Sequence, residues 1–299
     1  MLVMPNVLAT LCRYLPVALA LASTSCLQWR RTDAELAKHF GARGLPIAIY
    51  HGGSPGAPLR YIEVRAADTN GSVAKPNILF IHGAPSSLRV WEGFLADSTL
   101  LAHANLFAVD RPGYGYSNFG SADTSIIHQA EVLLPMLKRH AGPWLVFGSS
   151  YGGPIGCVLA AKEPKKVKAI LLTSPALAPG RERIYGISYI VRMPAFGWLF
   201  PTIFRVANAE KLSHANQLRL AAPYYRKVAQ PITYIHGSED ALIWPSNASY
   251  ADSAFSATCI KRITLQGRPH FFTFSEQPLI VAELLALLAT IADTANASN

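Results

Sequence analysis

Charge is scarce in this chain of 299 residues. Only 15% are Asp, Glu, Lys or Arg, and acids are the scarcer sign, with 18 against 27 bases. Disorder needs more charge and less apolar content than the 51% found here, so one well-filled globular core is expected. The surplus of nine positive charges is scattered, with no Lys/Arg run interleaved with aromatics. That speaks against nucleic acid as a partner and for a generally basic surface suited to anionic membranes or substrates. Of the four cysteines, Cys12 and Cys26 fall in the first 26 residues, which leaves two in the interior. Cys157 and Cys259 are expected to be free buried thiols. No Cys/His spacing resembles a metal site, and no repeat or low-complexity tract argues for an array. No uninterrupted apolar run reaches the ~20 residues of a spanning helix.

Residues 1–25 lack acids altogether and hold one base, Arg13, with an apolar stretch over 14–22 followed by Ser23-Thr24-Ser25-Cys26. This has the pattern of a secretory signal or anchor. Ala20-Leu21-Ala22 fits cleavage after Ala22, whereas Cys26 resembles the lipid-modified cysteine of a bacterial lipoprotein, with Ser23 where that pattern prefers Leu. An uncleaved anchor is the third option. The chain is expected to be exported to the bacterial cell envelope and tethered at a membrane. Residues 26–46 read as a connector and 47–292 as the folded domain.

Within that domain, short apolar strands alternate with helices. Residues 47–50 and 59–65 suggest an antiparallel pair. Later strands are expected over 77–83, a run ending in His-Gly, and over 106–109, 144–147, 167–172, 232–237 and 260–265, which makes a mostly parallel central sheet flanked by helices. Ligands of such sheets sit at the carboxyl ends of the strands. From 175 to 230 the alternation stops. Aromatic and basic residues dominate there, and a small helical cap inserted after the sixth strand is expected. Its aromatics are expected mainly to form the cap's own core.

At the end of the strand near 147 stands Gly148-Ser149-Ser150-Tyr151-Gly152. A serine at a sharp strand-to-helix turn needs small neighbours on either side, and the turn lifts its hydroxyl above the sheet beside a helix N-terminus. A serine hydroxyl needs a base to take its proton and an acid to orient the base. Of nine histidines, His270 lies just after the last strand, on the same sheet edge. His51, His82 and His236 also lie near strand ends, but each precedes a glycine and reads as a turn former. Asp240 follows the strand ending in His236-Gly237, with Glu239 as the alternative acid.

Ser150, Asp240 and His270 thus occur in chain order. With His82-Gly83, Asp110-Arg111-Pro112-Gly113-Tyr114-Gly115 and Gly148 to Gly152, the chain resembles the α/β-hydrolase superfamily over 47–291, in particular its bacterial, membrane-associated, lipoprotein-like members. The resemblance implies Ser150 as nucleophile, Asp240 as orienting acid and His270 as base. It also implies an oxyanion hole from the backbone N–H groups of Ala84 and Tyr151. His82, Gly83, Gly148 and Gly152 are then structural. Ser149 departs from the His often found there, and Arg268-Pro269 stands where small residues are usual, which is expected to stiffen that loop. The implied chemistry is hydrolysis of an ester, lactone, thioester or amide with an apolar acyl or alcohol group, through an acyl-enzyme and with no cofactor. Acyl transfer, C–C bond hydrolysis and non-catalytic binding of a hydrophobic ligand are the alternatives. A serine nucleophile disfavours dehalogenase and epoxide hydrolase chemistry.

Overall fold

A computed structural model describes residues 30–54, 56–65, 75–255 and 260–296. The signal or anchor segment with Cys26, and Cys259, lie outside the described residues. Among the described residues, eight strands form one sheet in the order β1-β2-β4-β3-β5-β6-β7-β8. They are β1 Ile47–Ser54, β2 Ala57–Val64, β3 Asn77–Ile81, β4 Asn105–Asp110, β5 Trp144–Ser149, β6 Val167–Thr173, β7 Ile232–Gly237 and β8 Ile260–Leu265. Only β2 runs against the others, through antiparallel pairing with β1 and β4. The hairpin is longer than its apolar alternation suggests. Pairing continues from Tyr50 to Ser54 opposite Ala57, with Gly53 at a positive φ of 86° close to the turn.

Strands β3, β4, β5 and β7 are covered on both faces, which is why their sequences run apolar without alternation. The edge strand β8 carries exposed Lys261 and Arg262, charges that discourage edge-to-edge pairing. On one face pack α4 Ile126–Arg139, α5 Gly152–Lys162, α8 Thr202–Tyr225 and α9 Ser246–Ala254. The other face is covered by α1 Asp33–Gly41, α2 Glu92–Leu95, α3 Ser98–His103, α10 Phe272–Ser275 and α11 Gln277–Asn296. Helix α1 starts at a capping box between Thr32 and Glu35 and buries Leu36 and Phe40 in this second core. No described helix is long and apolar enough to cross a membrane.

Between β6 and β7 stand α6 Ile187–Arg192, α7 Pro194–Gly197 and the long α8. Helix α8 packs on α4 and α5. The expectation that the aromatics of this insertion form its own core is corrected: Tyr185, Tyr189, Phe196, Trp198 and Phe204 are exposed. Helices α6 and α7 span about two turns and one turn, too short to enclose a core, so their apolar side chains face outward.

Candidate active site

The turn between β5 and α5 is built from backbone crowding. Ser150 has φ 51°, a left-handed conformation that costs a non-glycine residue about 1–2 kcal/mol. The turn closes because its neighbours lack side chains. A Cβ on Gly148 would fall 2.6 Å from the Gly152 carbonyl oxygen, and one on Gly152 would overlap the Ile81 carbonyl. The N-terminus of α5 therefore opens beside Ser150, with the Gly153 N–H donating to the Ser150 carbonyl at 3.0 Å.

The loops after β7 and β8 are stitched to each other. The Glu239 N–H donates to the Arg268 carbonyl at 3.1 Å, and the Gly267 N–H donates to Ser238 Oγ at 2.8 Å. A Cβ on Gly237 would overlap the Arg268 carbonyl, so only glycine lets the two loops approach this closely. The Arg268 side chain pairs with Glu276 at 2.6 Å. This seam brings Asp240 to His270. Nδ1 of His270 lies 2.7 Å from Asp240 Oδ2, and Nε2 lies 3.1 Å from Ser150 Oγ. Glu239 is exposed on the outside of the loop, whereas Asp240 is buried.

Burial pushes the Asp240 carboxyl up. Hydrogen bonds from His236 and His270, the charge of His270 and the Ile243 N–H outweigh it, and hold Asp240 well below the usual carboxylate range. An ionised Asp240 requires a proton on His270 Nδ1, which leaves the Nε2 lone pair to accept from Ser150.

One expectation is corrected at His236, read above as a turn former. It is buried behind Asp240. Its Nε2 lies 2.9 Å from the Ile243 carbonyl and 3.2 Å from Asp240 Oδ2, while Nδ1 lies 2.9 Å from the Tyr234 hydroxyl. A tyrosine O–H donating to Nδ1 leaves the proton on Nε2, pointed at the carbonyl and the carboxylate. The available signal was its spacing, four residues before Asp240 at a strand end.

His82 and Arg111 shape the loop after β3. The Arg111 N–H donates to His82 Nε2 at 3.1 Å, and His82 Nδ1 donates to the Gly83 carbonyl at 2.7 Å. Burial and the Arg111 charge push the His82 imidazolium well below its ordinary pKa, so this ring is neutral and structural. A Cβ on Gly83 would lie 3.0 Å from that of Ser150, which puts the Gly83-Ala84 backbone directly against the serine. Tyr151 lies between the Arg111 guanidinium, 4.7 Å from its ring centroid, and a stacked His214 at 4.5 Å.

A cleft of about 210 Å³ opens above Ser150, lined among others by Ala84, Pro85, Val90, His270, Phe271 and Phe274. Three other groups with chemical potential lie elsewhere. Cys157 is a free buried thiol. His51 pairs with Asp33 on the surface, and His214 pairs with Glu182 inside the insertion.

A family model described as alpha/beta hydrolase fold matches residues 76–211. Lipase LipV of Mycobacterium tuberculosis is 30% identical over 115 residues, 38% of this chain and 42% of that protein. A pimeloyl-[acyl-carrier protein] methyl ester esterase of Nitrosospira multiformis is 24% identical over 60% of this chain and 82% of its own length. Among solved structures, the haloalkane dehalogenase DatA of Agrobacterium tumefaciens superposes with a TM-score of 0.64. It is 18% identical and covers 82% of this chain and 97% of its own. The match to LipV thus spans less than half of that relative, and the likeness to the dehalogenase is one of fold.

Proposed function

This chain is an α/β-hydrolase by fold, and we propose that it is a serine ester hydrolase working through an acyl-enzyme on Ser150. The observation that carries the reading is the unbroken line from Asp240 through His270 to Ser150 Oγ, with contacts of 2.7 and 3.1 Å. His270 takes the Ser150 proton as Oγ adds to the ester carbonyl. The N–H groups of Tyr151 and Ala84 donate to the oxyanion, a contribution of roughly 3 kcal/mol per donor in comparable sites. His270, now cationic beside Asp240, protonates the leaving alcohol, and water repeats the cycle on the acyl-enzyme. Partial matches to a lipase and a methyl ester esterase support ester cleavage. Phe271 and Phe274 at the cleft support an apolar acyl or alcohol group. The cleft lies below the roughly 300–1,000 Å³ of drug-sized sites, which favours short and medium chains.

Replacing Ser150 by Ala is expected to abolish hydrolysis of p-nitrophenyl esters with the fold retained, and a fluorophosphonate is expected to label Ser150. Wild-type turnover in S150A, or a label on another residue, would remove the assignment.

A membrane setting has its own support. The insertion exposes Tyr189, Trp198 and Phe204 together with Arg192 and Arg205, and from 183 to 209 it contains no acid. Aromatics among bases suit the surface of an anionic bilayer. Export and a lipid on Cys26 belong to the same proposal. Unchanged sedimentation with anionic liposomes after Trp198→Ser and Phe204→Ser would count against the surface contact, and an unmodified Cys26 in the mature protein against the lipid.

A further inference from the structure

The acid-poor insertion spends one of its two acids inside the protein, on a residue of the β4 loop. Glu210, on α8, meets Arg111 with both side chains fully buried. Arg111 Nη1 donates to Glu210 Oε1 at 2.7 Å and Nη2 to Oε2 at 3.2 Å. Glu210 also accepts from the Tyr114 hydroxyl at 2.6 Å and from Gln129 at 2.9 Å. A pair desolvated this completely gives little net stability, since apolar residues of similar volume commonly serve as well. Its use lies in what the rest of the guanidinium holds. Nε donates to the His82 carbonyl at 2.8 Å and Nη2 to the Gly83 carbonyl at 3.1 Å.

The Gly83 carbonyl belongs to the same peptide as the Ala84 N–H. A trans peptide is planar, so its C=O and N–H point in opposite directions. With the carbonyl held by Arg111 and by His82 Nδ1, the Ala84 N–H is turned away from them. Gly83 itself is packed against Ser150. We infer that Glu210 is a positioning residue: from the inserted helix it holds Arg111 in the pose that aims the Ala84 N–H at the oxyanion. The docking of the insertion and the completeness of the oxyanion hole are thereby one event. Without the carboxylate, a buried guanidinium keeps only neutral partners and is drawn toward water, which frees the peptide to rotate.

This inference rests on the serine-hydrolase reading above, and its test separates the two. The readouts are kcat and KM for a p-nitrophenyl ester and the inhibition constant of an aryl trifluoromethyl ketone. Ser150 Oγ adds to the ketone carbonyl, its proton passes to His270, and the adduct's oxyanion occupies the hole. Glu210→Gln is expected to lower kcat by roughly 10- to 100-fold, the scale of a weakened oxyanion donor. KM should stay within about twofold and ketone affinity should fall by a factor close to that in kcat. A folded E210Q with wild-type kcat and ketone affinity overturns the inference, as does a loss of kcat with ketone affinity intact. Should E210Q fail to fold, Arg111→Lys decides by the same readouts. Its single ammonium keeps the charge opposite Glu210 but cannot reach both carbonyls, so parallel losses support the inference and wild-type values overturn it. A wild-type protein inert toward both ester and ketone overturns instead the hydrolase reading beneath it.

Discussion

His236 Nε2 lies 3.2 Å from Asp240 Oδ2, the oxygen that also faces His270 at 2.7 Å. Two imidazoles therefore converge on one carboxylate oxygen. Only one of them reaches the serine, so the other serves to hold the acid. Replacing His236 by Ala removes a buried donor and is expected to lower kcat/KM about tenfold, about 1.4 kcal/mol of transition-state stabilisation. His236→Gln, which keeps a donor, should lose less. Equal steady-state rates for the two variants would contradict an orienting role.

Asp240 also ties stability to pH. Its folded-state pKa lies below its value in the unfolded chain, about 3.9. The stabilisation is therefore present above that value and is lost as pH falls toward the depressed folded one. Urea midpoints of the wild type are expected to drop as pH falls below about 5, and those of Asp240→Asn to drop less steeply. The same variant should lose activity by roughly 10²- to 10⁴-fold. Parallel pH profiles for the two proteins would show that Asp240 carries no such linkage.

Strain at Ser150 separates activity from stability. Glycine adopts a φ of 51° without the cost that serine bears. Ser150→Gly is thus expected to be inactive yet more stable by about 1 kcal/mol, a rise in Tm of roughly 2–4 °C for a domain of this size. Ser150→Ala keeps the strain and should melt near the wild type. A lower Tm for S150G than for S150A would rule this out.

Crowding at the turn makes Gly148 intolerant of any side chain. A Cβ there meets backbone at 2.6 Å, whereas one on Gly186 meets nothing within 4 Å. Gly148→Ala is expected to cost more than about 2 kcal/mol or to yield insoluble protein, and Gly186→Ala to be near neutral. Thermal melts of the pair test the asymmetry, and similar melting temperatures would contradict it.

Much of the architecture was legible because its signals are local. Apolar runs such as Asn77–Ile81 and Trp144–Ser149 mark strands covered on both faces, and glycines mark the turns that end them. The order of Ser150, Asp240 and His270 after three strands of one sheet was equally readable, since parallel strands bring their carboxyl ends to one edge. The insertion's composition was readable too, but not which way its aromatics face. That depends on whether α6 and α7 are long enough to enclose them.

Residues distant in sequence account for the rest. Position in the loop already favoured Asp240 over Glu239; what the sequence did not show is the seam of hydrogen bonds that joins this loop to that of His270. His236 passed for a turn residue until the fold set it behind the carboxylate. Glu210 and Arg111 stand 99 positions apart, and nothing local to either announces the other. Local periodicity and turn chemistry thus determined the sheet, the serine turn and the candidate trio. Only the tertiary structure decided which buried groups hold that trio, because burial and charge pairing are properties of the packed interior.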